Sequence, residues 1–182
     1  MSEQRRREKS AWRENVESIV LGIALALVIR TFIIQAYKIP SGSMRPTLME
    51  GDRILVSKFT YRFQAPQPGD VIVFRYPEDR KREFIKRLVA HGGDAVSIRD
   101  GHIVINGRVA DEAPFNRVAY VNRGSLAAPE DTVTVPPEMY FVLGDNSSSS
   151  RDSRFWGFVP KDDLIGKALV IFWPLNRWRV IR

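Results

Sequence analysis

Residues 69–89 read GDVIVFRYPEDRKREFIKRLV, in which two apolar runs, 71–76 and 84–89, flank a highly charged segment. Both runs contain the β-branched and aromatic residues that are typical of strands. Runs of the same kind recur along the chain, at 53–57, 95–98, 103–105, 139–143 and 168–173. The sequence therefore predicts a series of short strands after residue 37.

Turn signals separate these runs and favour antiparallel pairing. Asp100-Gly101 and Asn106-Gly107 are typical of two-residue hairpin loops. No stretch after residue 37 has a sustained helical period, and no repeat or alternation of strands with helices is visible. The predicted fold class is mainly β, an antiparallel sheet assembly or a partly open barrel. The polar residues 110–134 are interpreted as a small insertion or a long loop.

The N-terminal part has a different composition. Residues 1–15 are basic and polar, whereas residues 19–29 contain no charge. As a helix, the segment 16–37 would be about 33 Å long, enough for a hydrocarbon core of about 30 Å, and we predict a transmembrane signal-anchor helix there. A cleaved signal peptide and a buried core helix are the alternatives. No small-residue cleavage site follows the segment, and no second long helical pattern would cover a core helix.

The charge distribution predicts how the chain lies in a membrane. The basic leader 1–15 is expected in the cytoplasm, which places residues 38–182 on the exported side as one domain. The net charge of +7 would suit either nucleic acid or anionic lipid. An exported location argues against nucleic acid, so the expected partner is the lipid bilayer, with the protein as a monomer.

Composition also limits the chemistry. A chain of 182 residues suits one domain with an appendage, so one site is expected. The chain has no Cys and two His, which excludes disulfides and cysteine nucleophiles and argues against a zinc site. We expect no metal and no cofactor, and the chemistry must come from hydroxyls, carboxylates, amines or backbone groups.

A candidate nucleophile follows directly after the predicted span, where residues 40–48 read PSGSMRPTL. Prolines on both sides of Ser41 and Ser43 predict a short, rigid loop that presents hydroxyl groups. A flexible linker is the simpler interpretation of this composition. The apolar residues Ile39, Met44 and Leu48 favour a loop that is anchored in a core.

A candidate base lies in the run 84–89. Strand alternation places Lys86 on one face with Phe84 and Leu88, and places Arg87 on the opposite face. Most strand lysines point to solvent, so this pattern leaves a role for Lys86 open. His91 and His102 lie beside turn glycines and are expected to be exposed, but either is an alternative base.

The third feature is the segment 144–157, which reads GDNSSSSRDSRFWG. Four consecutive serines suggest an exposed loop of low complexity. Asp152 and Arg154, next to Phe155 and Trp156, indicate instead a packed loop with charged hydrogen bonds.

Taken in order, these segments resemble the bacterial type I signal peptidases (leader peptidases), which are membrane-anchored serine proteases with a Ser/Lys dyad. The resemblance covers nearly the whole chain. It rests on RTF at 30–32, PSGSM at 40–44, PTL at 46–48, GD at 51–52, GDVIVF at 69–74, FIKR at 84–87 and the segment 144–157. Two departures are visible: Ser147 stands where the family often has Arg, and Gly92 where Pro is common. The short stretch 110–134 implies a reduced second domain.

The resemblance implies a role for each matching residue. Ser43 would be the nucleophile and Lys86 the general base. The implied supporting residues are Ser41, Ser150, Asp152 and Arg154. Ser41 would donate to the oxyanion, and Ser150 would orient the lysine. Asp152 and Arg154 would form a structural ion pair. The base must titrate near pH 8 rather than at about 10.4, and burial is known to lower a lysine pKa that far.

The function that the resemblance implies is removal of N-terminal signal peptides from exported preproteins at the bacterial inner membrane. Substrates would carry small residues at positions −1 and −3. Two alternatives remain open: a related Ser/Lys processing protease with a dedicated substrate, and an inactive, membrane-tethered β-rich binding module. The latter would be indicated by a missing Ser43 or Lys86, and both are present.

Overall fold

A computed structural model describes residues 2–126 and 131–181. A long helix, α1 (Ser2–Val28), continues through a π-helical turn at Ile29–Ile33 into the first strand. The strands are β1 Ile34–Lys38, β2 Arg53–Ser57, β3 Val71–Tyr76, β4 Asp79–His91, β5 Ala95–Arg99, β6 His102–Ile105, β7 Arg108–Val109, β8 Val133–Thr134, β9 Met139–Leu143, β10 Val159–Pro160, β11 Leu164–Trp173 and β12 Arg179–Val180. A second, one-turn helix, α2, spans Ser153–Trp156.

The strands form two antiparallel sheets, as the sequence predicted. The larger sheet has the order β1-β2-β11-β3-β4-β9-β10, with β12 added to β11, and the smaller has the order β7-β6-β5-β8. The predicted fold class, mainly β antiparallel sheets behind one N-terminal helix, is confirmed. Strand β4 is long enough to pair with β3 over its first part and with β9 over its last part.

The helix ends earlier than the sequence predicted. Residues 34–37 were expected in the helix, but they belong to β1, in which Ile34 pairs with Ser57 and Lys38 with Arg53. Pairing with β2 satisfies the backbone groups of these residues, which the hydropathy pattern does not reveal. The segment Trp12–Ile33 is 22 residues long and apolar enough to cross a membrane, and its window has 0% of its residues buried. One N-terminal helix therefore fits a membrane span.

Strand positions follow the apolar runs closely. Three predicted runs coincide with strands: Arg53–Ser57, Val71–Tyr76 and Met139–Leu143. The predicted hairpin turns are also present, with Asp100 at φ 50° and Asn106 at φ 52°. The two-residue strands are not predictable from the sequence pattern, because two residues are too few to show an alternation.

The stretch 110–134 is packed into a core by two of its aromatic side chains. Residues 127–130 lie outside the described residues, but Phe115 and Tyr120 are buried in one core with Val89, Ile98 and Phe141. The side chains of these two aromatic residues tie the stretch to both sheets.

A second core fixes the loop between β1 and β2. Ile39, Met44 and Leu48 are buried together with Ile54 and Ile171. Burial of three side chains from one loop is incompatible with a flexible linker, so the linker interpretation is wrong. The loop 39–52, which contains Ser43, is packed against the larger sheet.

Candidate active site

Ser43 lies in a 3₁₀ turn, Gly42–Met44, within the loop 39–52. The side chain of Met44 is fully buried beneath it. The turn that follows β9 also binds this 3₁₀ turn, because Asn146 Nδ2 donates to Gly42 O at 3.0 Å and the Asn146 N–H donates to Ser43 O at 3.0 Å. The position of the Ser43 hydroxyl is therefore set by core packing and by β9.

Lys86 projects from β4 towards this hydroxyl. Its Nζ lies 2.8 Å from Ser43 Oγ and 3.0 Å from the carbonyl oxygen of Ile85. The residue is only 4% exposed. Burial lowers the pKa of Lys86 to about 8, although the negative charges of Asp152 and Asp145 act in the opposite direction. A buried amine of this kind is neutral in part near neutral pH and can accept a proton from the adjacent hydroxyl.

The histidines that the sequence left as alternative bases lie elsewhere. His91 Nε2 is 2.7 Å from the carbonyl oxygen of Pro66, and His102 is exposed on the smaller sheet. Neither lines the cleft that contains Ser43. Lys86 is therefore next to the Ser43 hydroxyl, and neither histidine is.

The hydroxyl opens into a cleft of about 830 Å³. Residues 40–43 form one wall and residues 82–86 of β4 form another. Ser41 lies in the first wall with an exposed side chain, two residues before Ser43. Its hydroxyl is thus free to meet a molecule bound in this cleft.

Asp152 and Arg154 form the ion pair that the resemblance implied. Arg154 Nε donates to Asp152 Oδ1 and Arg154 Nη2 donates to Oδ2, both at 2.8 Å, and the two side chains are 0% exposed. Asp152 Oδ2 also accepts the N–H of Gly144 at 2.9 Å. The pair thus ties the segment 144–157 to the end of β9, next to Ser43.

Ser147 completes this buried network, although the family often has Arg there. Its Oγ accepts a hydrogen bond from Arg154 Nη1 at 2.7 Å and another from the Val121 N–H at 2.8 Å. A small hydroxyl at this position leaves room for Arg154 and connects it to the stretch 110–134. Of the four consecutive serines, the first and the last are buried in this packed loop, and Ser148 and Ser149 are exposed.

Ser150 is placed near the site but without the expected hydrogen bond. Its side chain is buried, and its Oγ has no hydrogen-bond partner among the described residues, Lys86 included. The hydroxyl lies beside Gly144, where a Cβ would collide with it and would also approach Ser43 O to 2.5 Å. An orienting role for Ser150 stays a prediction.

One element of the site escaped the sequence analysis. Arg87, the neighbour of Lys86, forms a bidentate ion pair with Asp145, with Nε–Oδ1 at 2.7 Å and Nη2–Oδ2 at 2.6 Å. Both side chains are almost completely buried, and Thr47 Oγ1 donates to the same carboxylate. Both residues lie inside quoted motifs, Arg87 in FIKR at 84–87 and Asp145 in the segment 144–157, but nothing in the sequence indicates that they pair. Arg87 and Asp145 join β4, β9 and the Ser43 loop.

A serine hydroxyl and a buried lysine amine in an open cleft define the class of serine hydrolases that use lysine in place of histidine. The family model described as "Signal peptidase, peptidase S26" matches residues 12–173. The chain belongs to this family, which confirms the resemblance seen in the sequence and makes it a serine peptidase.

Three individual proteins are similar to this chain. Signal peptidase I from Leptolyngbya laminosa is 42% identical over 90% of this chain and 81% of its own length. Probable signal peptidase I-2 from Synechocystis is 38% identical over 93% of this chain and 77% of its own length. A crystal structure of a signal peptidase I from Enterococcus faecalis is 36% identical, with 57% of this chain and 97% of that chain covered and a TM-score of 0.46.

Proposed function

We propose that this chain is a membrane-bound endopeptidase that removes N-terminal signal peptides from exported preproteins, with Ser43 as nucleophile and Lys86 as general base. The observation that carries this proposal is the 2.8 Å separation of Lys86 Nζ and Ser43 Oγ, with the amine buried, in a chain of the S26 family. The chain has three parts in this proposal: a cytoplasmic leader 1–15, an anchor within 16–37, and an exported catalytic domain 38–182.

The reaction follows from the two side chains. Neutral Lys86 accepts the hydroxyl proton while Ser43 Oγ attacks the carbonyl carbon of the scissile peptide bond. The resulting ammonium then returns a proton to the leaving nitrogen, the C–N bond breaks, and an ester remains on Ser43. Water, deprotonated by the same amine, then attacks the carbonyl carbon of this ester. The bond between that carbon and Ser43 Oγ breaks, the Lys86 ammonium returns its proton to Oγ, and the signal peptide leaves with a new carboxylate.

The developing oxyanion requires hydrogen-bond donors. The N–H of Ser43 and the hydroxyl of Ser41 are the proposed pair, and the exposed position of Ser41 in the cleft wall supports this role. Asp152 and Arg154 keep the segment 144–157 in place, and Ser150 borders the same site. These four side chains are supporting residues in the proposed mechanism.

The substrate would bind as an extended peptide along β4. Pairing of β4 with β9 begins at Arg87, whereas its pairing with β3 extends back to Asp79. The register therefore leaves one edge of residues 84–86 available for an added strand, directly beside Ser43. In this arrangement alternate side chains of the peptide face the protein, and we propose small residues at positions −1 and −3.

The proposed membrane is the bacterial inner membrane, with the catalytic domain on the exported side. The loop after β2 supports close apposition to the bilayer, because the Lys58 N–H donates to Ile33 O at the end of the helix, at 2.9 Å. Phe59 and Phe63 follow in this loop, with 43% and 73% of their surface exposed. A reporter fused after residue 182 should be active only in the exported compartment, and activity in the cytoplasm would overturn the orientation.

Cleavage of a preprotein tests the activity directly. The purified full chain is incubated in detergent with a preprotein, and the new N-terminus is mapped by mass spectrometry. We expect one cut after the signal peptide, lost when the −1 or −3 residue is made large. Ser43→Ala protein is the control. Cleavage that persists in the control, or none by the parent, would contradict the proposal.

A further inference from the structure

The end of the chain packs against the loop that carries Ser43. Residues 174–181, which we name the C-terminal strap, contain a 3₁₀ turn at Leu175–Arg177 and the strand β12. In β12, Val180 pairs with Val170 and Arg179 pairs with Ile171 of β11. This pairing adds the strap to the larger sheet and directs it across the loop 39–52.

The strongest contact of the strap is an ion pair at the base of the loop. Arg177 Nε lies 2.8 Å from Asp52 Oδ1, and Arg177 Nη2 lies 2.9 Å from Oδ2. Asp52 is 1% exposed, so its carboxylate requires charge compensation, which Arg177 supplies at contact distance and Arg179 at longer range. Oδ2 also accepts the N–H of Met49 at 2.8 Å.

Asp52 is the residue that closes the loop. Its carbonyl oxygen accepts the N–H of Ile39 at 2.8 Å, and Gly51 N donates to Ile39 O at 2.9 Å. The backbone of Asp52 therefore joins the two ends of the loop. Its side chain connects Met49 to the strap. Nothing else among the described residues provides a second cation for this carboxylate within ion-pair distance.

Two further contacts reach the other side of the loop. Arg179 Nη2 donates to the carbonyl oxygens of Pro46, at 3.3 Å, and of Thr47. The side chain of Ile181 is buried in the same core as Met44 and Leu48. The loop is thus held by the strap on one side and by β9 on the other.

We propose that Arg177 is a positioning residue for the reaction: through Asp52 it holds the loop so that the Ser43 hydroxyl stays at hydrogen-bond distance from Lys86. This inference rests on the proposed function of these two residues. Displacement of a reacting group by about 1 Å is enough to cost on the order of 10²-fold in rate. Replacement of Arg177 should therefore lower kcat much more than it changes KM, because the proposed substrate edge of β4 is not among the contacts of Arg177.

The test compares three variants of the full chain in detergent, with preprotein as substrate. Arg177→Met removes the charge and keeps the stem, and Arg177→Lys retains a charge without the two-point contact. Arg80→Met is the matched control, because Arg80 also pairs with a buried aspartate, Asp163 at 3.2 Å. We expect kcat to fall by about 10²-fold in Arg177→Met, by less in Arg177→Lys, and to stay near the parent value in Arg80→Met.

The outcomes separate this inference from the proposed function. If parent and Arg80→Met cleave preprotein and folded Arg177→Met does so at the same kcat, the positioning role is wrong. A loss that appears only in KM would contradict it equally. If Arg177→Met does not fold, the double variant Arg177→Met with Asp52→Asn removes the uncompensated charge, and its kcat decides in the same way. If the parent protein does not cleave preprotein, the proposed function is wrong, and the positioning role of Arg177 is wrong with it.

Discussion

The N–H of Asn146 donates to the carbonyl oxygen of Ser43 at 3.0 Å, so the turn that follows β9 holds the peptide group of the proposed nucleophile. The same turn contains Gly144, whose N–H donates to buried Asp152. The position of Ser43 thus depends on the ion pair between Asp152 and Arg154, which never touches the hydroxyl.

Gly144→Ala tests this dependence. The added Cβ would lie 2.5 Å from Ser43 O and closer still to Ser150 Oγ, so one of these groups must move. We expect kcat to fall by about 10²-fold or more, because the nucleophile is displaced. Preprotein cleavage by Gly22→Ala provides the control, because a Cβ at Gly22 meets nothing within 4 Å. Equal rates for both variants would show that the turn does not position Ser43.

The pH dependence of cleavage should report Lys86. Burial lowers the pKa of Lys86 to about 8, and only the neutral amine can accept the proton of Ser43. We expect kcat/KM to rise with pH and to level off above about pH 8. Lys86→Met should be inactive at every pH while its circular dichroism matches the parent. Cleavage by a folded Lys86→Met protein would show that Lys86 is not the general base.

The same substitution should stabilise the fold. Because the pKa of Lys86 lies below its ordinary value of 10.5, the unfolded chain binds more protons between about pH 8 and 10.5. Below this window the folded protein carries the full cost of a buried ammonium, about 3 kcal/mol. Lys86→Met should therefore raise the free energy of unfolding below pH 8, and the gain should vanish above pH 10.5. Urea denaturation measures it, with exposed Lys81→Met as the control that should show no such gain.

Replacement of Ser41 and replacement of Ser43 should lower turnover to very different extents. Ser43→Ala removes the covalent route and should abolish turnover, whereas Ser41→Ala removes one oxyanion donor and should lower kcat by about 10²–10³-fold with little change in KM. Ser41→Thr keeps a hydroxyl and should retain more activity than Ser41→Ala. Michaelis curves for the three folded variants check the order. An active Ser43→Ala beside an inactive Ser41→Ala would reverse the assignment.

The aromatic loop after β2 should lie at the lipid surface. The chain contains no cysteine, so Phe63→Cys can be labelled at one position with an environment-sensitive dye. In nanodiscs we expect blue-shifted emission, because Phe63 is exposed in the loop that begins at Lys58, whose N–H donates to Ile33 O at the end of the helix. Val109→Cys, on the smaller sheet and 54% exposed, is the control and should report water. Identical spectra from the two labels would contradict the placement of the loop.

Sequence patterns predicted the strands well because alternation and turn residues are local properties. The end of the helix was missed at Ile34, since a strand that continues an apolar helix has no boundary signal in hydropathy. Residue spacing alone does not decide whether Lys86 or one of the two histidines is the general base. The resemblance to the signal peptidases favours Lys86. The pair of Arg87 with Asp145 and that of Arg177 with Asp52 join distant segments, and no single-sequence pattern records such contacts.

Strand β1 also limits the distance between the end of the helix and the start of the loop that contains Ser43. It joins the end of the helix to the loop of Ser43 by five paired residues, Ile34–Lys38, so it has a fixed length of at most about 17 Å. A preprotein whose own apolar helix sits in the same bilayer must cover a similar height before its scissile bond reaches the hydroxyl. We therefore expect a short extended segment, on the order of the five residues of β1, between the apolar helix of a substrate and the bond that is cut.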